Sequence, residues 1–192
     1  MKSKLIVKEA MLLLERNMQV CWHFTNIEKL INIIEDNELK FSKSSMSRYE
    51  DKTSKGYKFF LSTSRTKNPD VNKHTLYDSK FSSGCYVRFE IDLQGFRTIP
   101  VVYSGYNDDE IKRGTGVSEY EERIVSNHIG SLSANDSRIV RIDVYIDKRK
   151  RTHGKIEWLN DCLKKIKESQ VSKKVYIYNN KTDFIRQTNN TI

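Results

Sequence analysis

Met18-Gln19-Val20-Cys21-Trp22-His23-Phe24-Thr25-Asn26-Ile27-Glu28-Lys29-Leu30-Ile31-Asn32-Ile33-Ile34 is the stretch on which the fold turns. Its first half, Met18 to Phe24, reads as an apolar strand that ends at His23-Phe24. The second half changes period. Ile27, Leu30, Ile31 and Ile34 form an apolar stripe at helical spacing, and Thr25 stands three residues before Glu28, the spacing of a capping box. A strand running straight into a capped helix gathers His23, Thr25 and Asn26 at the junction. Taken alone this is weak evidence for a site, because a single histidine is more often structural and an N-cap role is enough to explain Thr25.

Working outward, residues 5–16 repeat apolar positions at helical spacing (Leu5, Met11, Leu12), and a short packing helix is expected there. Leu39–Ser42, Tyr57–Ser62, Ile99–Tyr103 and Val175–Tyr178 read as strands, with Pro100 marking an edge. Cys85–Ile91 alternates as a half-buried strand does, and Arg138–Ile146 is the longest strand candidate. Ile156, Leu159, Leu163 and Ile166 mark an amphipathic helix. Residues 43–56 and 66–83 are long polar connections, a length that in a compact domain accompanies function. Strands outnumber helices and do not alternate with them, so the class is α+β with a mostly antiparallel or mixed sheet, in one domain of 192 residues with a core over about 18–180.

Two further segments carry polar groups off apolar strands. Phe59-Phe60-Leu61-Ser62-Thr63-Ser64-Arg65 places three hydroxyls and an arginine after an apolar run. They can simply end the strand, or the hydroxyls can brace a neighbouring backbone while Arg65 grips a phosphate or carboxylate. Ser118-Glu119-Tyr120-Glu121-Glu122-Arg123-Ile124 follows a Gly-containing charged loop. As a strand it puts Glu119, Glu121 and Arg123 on one face and Tyr120 and Glu122 on the other. A solvated charged face is the plain reading, and a one-residue slip of register exchanges Glu121 for Glu122 on the inward side.

Composition narrows the classes. The net charge is +9, from 34 Lys+Arg against 25 Asp+Glu, which favours a polyanionic partner. Lys148-Arg149-Lys150-Arg151 is the densest basic cluster, and Tyr49, Tyr57, Tyr77 and Phe81 interleave with basic stretches where they could stack exposed bases or form small packing clusters. No apolar run approaches the roughly 20 residues of a membrane span. Lys8, Glu9, Glu15 and Arg16 interrupt the apolar N-terminal stretch, so no signal peptide and a cytoplasmic location, in a host or a bacterium, are expected. The three cysteines (Cys21, Cys85, Cys162) are far apart and odd in number, which suits buried thiols in a reducing compartment. Without a Cys-x-x-Cys pair, and with His23, His74, His128 and His153 scattered, no metal site is expected.

In this order, His-x-Thr at a strand–helix junction, Ser-Thr-Ser-Arg on a central strand and Glu-Tyr-Glu-Glu-Arg opening a late strand resemble the ADP-ribosyltransferase superfamily, in particular its bacterial and phage members. The resemblance spans roughly residues 20–146. It implies a split, mostly antiparallel sheet with flanking helices, and NAD⁺ as co-substrate. His23, with Thr25 and Asn26 nearby, would bind the hydroxyls of one of the two NAD⁺ riboses. Ser62, Thr63 and Ser64 would frame the nicotinamide, and Arg65 would contact the pyrophosphate or orient the glutamate. Glu121 would be the catalytic carboxylate, Glu119 would activate the acceptor, and Arg123 would hold the carboxylates. Tyr57, Tyr86 and Tyr103 are open choices for an aromatic stacked on nicotinamide.

The function implied is mono-ADP-ribosylation of a macromolecule, with nucleic acid ahead of protein, by a toxin with an antitoxin partner or by a phage effector that modifies its host. Two alternatives stand beside it. One is RNA 2′-phosphotransfer to NAD⁺, with Arg48, Arg65 and Arg88 as candidate grips for the phosphate. The other is a non-catalytic binding module for nucleic acid or protein in which the carboxylates are structural.

Overall fold

The computed structural model describes residues 19–44, 56–64, 67, 85–100, 121–147 and 153–187. The expected helix over residues 5–16, the Lys148–Arg151 cluster, Arg48, Arg65, Tyr103, Glu119 and Tyr120 lie outside them. Strand β1 (Val20–Asn26) runs without a loop into helix α1 (Ile27–Asp36). The cap is Asn26 rather than the expected Thr25. Asn26 is extended, and its side-chain oxygen accepts from the Lys29 amide at 2.8 Å, so the helix begins one residue later than a Thr25–Glu28 box requires. Asn37 closes α1 in the left-handed conformation (φ 53°), which asparagine tolerates better than most residues, and its N–H reaches the carbonyls of Ile33 and Ile34.

Strands β2 (Glu38–Lys40), β3 (Ser42–Lys43), β4 (Phe59–Ser64), β5 (Cys85–Asp92), β6 (Arg97–Pro100), β7 (Glu121–Ser126), β8 (Ser131–Ser133) and β9 (Ile139–Ile146) follow. Helix α2 (His153–Glu168), strand β10 (Val175–Tyr178) and helix α3 (Lys181–Arg186) complete the order. The main sheet runs β10-β9-β5-β1-β4-β7-β6 with β3 beside β4, and β2 pairs β8 apart from it. β9 and β10 are parallel and the other pairings antiparallel, so the mixed α+β class and the edge position of Pro100 are as expected.

One feature of register divides this sheet. β1 pairs with β5 along its whole length, from Val20↔Asp92 to Asn26↔Tyr86, and β4 does the same with β7, from Phe59↔Ser126 to Ser64↔Glu121. Between β1 and β4 the described ladder is the one pair Trp22↔Ser64. Past it the strands part, and β3 takes the edge of β4 at Phe59 and Phe60. Among the described residues the two half-sheets meet at this one pair.

The two faces differ in chemistry, as strand alternation requires. Cys21, Leu61, Val87, Phe89, Ile124, Ile142 and Val144 point to the face covered by α1 and α2, and there they form one core with Ile27, Leu30, Leu159, Cys162 and Ile166. All three cysteines are buried. On the opposite face Phe184 of α3 packs against Tyr145 and Tyr178. Below it lies Arg88, a fully buried cation. Asp143 accepts from its Nη2 at 2.6 Å and its Nε at 3.2 Å. The Phe184 carbonyl accepts from Nη2 at 2.7 Å and the Lys67 carbonyl from Nη1. Arg141 donates to the other Asp143 oxygen at 2.7 Å. Among the described residues no helix is long and apolar enough to cross a membrane.

Breaking a buried pair by removing one partner strands the other charge, at about 3–5 kcal/mol. Asp143→Ala should therefore lower the unfolding free energy measured in urea by that order, whereas the exposed Lys165–Glu35 pair should change it little when either partner becomes alanine.

Candidate functional site

Where β1 and β4 part, the backbone of β4 needs a substitute for a ladder partner, and His23 supplies it. Its Nδ1 lies 2.8 Å from the Ser62 carbonyl. A carbonyl only accepts, so Nδ1 carries the proton and Nε2 of the neutral ring is an acceptor. Burial holds the imidazole below its ordinary value near 6.5, opposed by the Ser62 hydrogen bond, and the charge of Lys29 lowers it further. The ring also tilts against Phe89, centroids 6.1 Å apart. The half-buried His23 thus reaches into the gap as a neutral acceptor held in one tautomer.

Register gathers the second and third segments around the same point. Ser62 lies opposite Arg123, Thr63 opposite Glu122 and Ser64 opposite Glu121. The face that holds Trp22 therefore also holds Ser62, Ser64, Glu121 and Arg123. The same alternation puts His23, Thr63 and Glu122 on the core face. The register thus pairs Ser64 with Glu121 and Thr63 with Glu122. His23, Ser62 and Glu121 stand on three adjacent strands, β1, β4 and β7.

Individual side chains sharpen the expectations. Thr63 donates its hydroxyl to the Glu122 carbonyl and so laces β4 to β7. Asn26 commits its oxygen to the helix cap, which leaves its NH₂ as the group able to meet a ligand. Thr25 is buried on the core face. Arg123 is buried with its guanidinium 4.2 Å from the Phe60 ring centre, a contact that fixes it beside the Ser62 backbone. Arg88 is not a surface grip for phosphate: its guanidinium is wholly enclosed with Asp143 on the far half-sheet, because the Arg88↔Asp143 register aims both into the face covered by α3. Tyr86 stacks on Tyr145, at 5.8 Å and 11°, and Tyr57 lies under Arg97. Among the described residues no group of histidine, cysteine and carboxylate side chains could hold a metal ion.

Sequence reading passed over Trp22. It is 7% exposed, and among the described residues its indole Nε1 has no hydrogen-bond partner. Only the position of this residue beside His23 hinted at it.

The depressed His23 pKa has a sign that can be checked. The unfolded ring takes its proton near pH 6.5 and the folded ring takes it lower, so the contribution to stability is complete above about 6.5 and is lost as pH falls towards the folded value. Thermal melts of His23→Asn should show a shallower fall in Tm between pH 7.5 and 5.5 than those of the unsubstituted protein.

No protein-family model matches the chain, and no curated protein matches it in sequence. Solved structures similar to it include Thermus sp. 2.9 DarT in complex with NAD⁺, 12% identical, covering 83% of this chain and 94% of that one at a TM-score of 0.47. The same protein with carba-NAD⁺ is 11% identical, covers 86% and 97%, and gives 0.48. With ADP-ribosylated single-stranded DNA it is 11% identical, covers 85% and 95%, and gives 0.47. At such identities and TM-scores the likeness assigns neither an activity nor a residue to this chain.

Proposed function

We propose that the chain is a mono-ADP-ribosyltransferase that moves ADP-ribose from NAD⁺ to a macromolecular acceptor, nucleic acid ahead of protein. What supports this reading is the parting of β1 and β4 beyond Trp22↔Ser64, where His23 on the core face bonds the Ser62 carbonyl and the Ser62 and Ser64 side chains stand on the opposite face.

The chemistry follows from the groups. His23 Nε2, an acceptor, suits a ribose hydroxyl. As the bond to nicotinamide breaks, positive charge grows on the ribose, and a carboxylate fixed at Glu121 stabilises that state more than the ground state. The departing nicotinamide takes the bonding electrons. The acceptor then needs a base within hydrogen-bond reach, the role given to Glu119. Arg65 belongs at the pyrophosphate or against the glutamate, and Arg123, buried beside Ser62, steadies the strand that carries Glu121. The net charge of +9 supports a polyanionic acceptor. A cytoplasmic toxin held by an antitoxin, or a phage protein that modifies its host, fits this activity. RNA 2′-phosphotransfer is less well supported, since Arg88, one of its three candidate cations, is buried with Asp143.

The test is to incubate the protein with labelled NAD⁺ and separate pools of DNA, RNA and protein. Label should enter a nucleic-acid pool. Glu121→Gln should cut transfer at least about 100-fold, the scale of one lost transition-state charge contact, with its melting temperature close to that of the parent. Unchanged turnover would remove Glu121 from the chemistry, and no NAD⁺ consumption by the parent would leave a binding module.

A further inference from the structure

A buried indole N–H with no acceptor is costly, because the group has left water and gained nothing in return. Proteins rarely leave such a donor orphaned unless something absent from the structure takes it up. Trp22 is that case. It is 7% exposed, its Nε1 is without a partner among the described residues, and it packs with Phe24, Val20 and Tyr86. The nearest carboxylate by register, Glu90 directly across in β5, takes its bond from Gln187 instead, at 3.0 Å.

Its place in the sheet says what the missing acceptor is. Trp22 forms the sole described ladder pair between the half-sheets, with Ser64, and Ser64 in turn lies opposite Glu121. The three residues share one face across three consecutive strands, so Trp22 and Glu121 are about 10 Å apart in backbone, with only a serine between them. A group whose ribose met Glu121 would have its nicotinamide within reach of the indole.

We propose that Trp22 is a binding residue for the nicotinamide end of NAD⁺, donating its indole N–H to the carbonyl oxygen of the carboxamide. This rests on the NAD⁺ reading above. An indole N–H is a donor only, and a carbonyl is an acceptor only. A ribose hydroxyl can donate as well as accept and does not require a donor-only partner, whereas the carboxamide oxygen does. The apolar group around Trp22 suits the flat ring that carries the carboxamide, so shape and hydrogen-bond polarity agree on one end of the dinucleotide.

Trp22→Phe keeps the apolar bulk and deletes the donor. Unliganded, the variant should melt at or above the temperature of the parent, because an orphan is removed rather than a bond broken. Its calorimetric affinity for NAD⁺ should fall about five- to tenfold, one hydrogen bond's worth. A thionicotinamide analogue, whose sulfur accepts poorly, should bind parent and variant alike. Equal NAD⁺ affinity in parent and variant, or a fall that is the same for the analogue, overturns the assignment while leaving the NAD⁺ reading intact. A parent that binds no NAD⁺ overturns both. Trp158→Phe, which leaves Trp22 as the remaining one of two tryptophans, gives a readout that does not depend on the folding of Trp22→Phe. Trp22 emission should change on saturation with NAD⁺, and constant emission counts against the proposal.

Discussion

Among the described residues β1 and β4 share one ladder pair, and the centre of the sheet is arranged around it. A sheet that zips these strands together has no opening, and one that separates them fully leaves carbonyls of β4 without donors, a cost that buried backbone seldom bears. Here Trp22↔Ser64 holds the two halves together, β3 covers Phe59 and Phe60, and an imidazole serves the Ser62 carbonyl between them. One side chain thus does what a backbone amide does elsewhere in the sheet. Because it does so through Nδ1, the opposite nitrogen is set as an acceptor before any ligand arrives.

The two faces of the sheet divide the work of stability. Helices α1 and α2 seal an apolar core, the common arrangement for a domain of two layers. The other face carries a row of polar residues across five strands: Arg141, Glu90, Trp22, Ser64 and Glu121. At one end of that face the charges neutralise one another beneath α3, and Tyr178 adds its hydroxyl to Arg141. At the other end lie the serines and the glutamate. A single face thereby carries a buried ion network at one end and the serine strand at the other.

Much of this was legible in the chain. β5, β9, β10 and α2 announce themselves by period, and Val175–Tyr178 matches its strand residue for residue. β4 was read two residues early because its apolar run stops at Leu61, while pairing with β7 extends it through Ser64. Helix α3 and strand β8 escaped, since six and three residues are too few to show a period. At the site, sequence order alone brought His23, the serines and the glutamates together. What it could not supply was parity. Which glutamate stands opposite Ser64 depends on a ladder between strands more than fifty residues apart. Trp22 shows the same limit, for an orphaned donor is a property of surroundings and not of spelling.

The buried Arg88 has a consequence for how the molecule comes into being. Its acceptors lie 21, 55 and 96 residues away along the chain, at Lys67, Asp143 and Phe184. None is local, and the last belongs to the final helix described. A nascent chain emerging from the ribosome therefore carries an unmatched guanidinium through most of its synthesis, and the far half-sheet gains its full set of acceptors only when residue 184 is in hand. Contacts of such long range slow folding, and they make the appearance of the native centre a late and concerted event, so that fragments ending before α3 lack the groups that complete it.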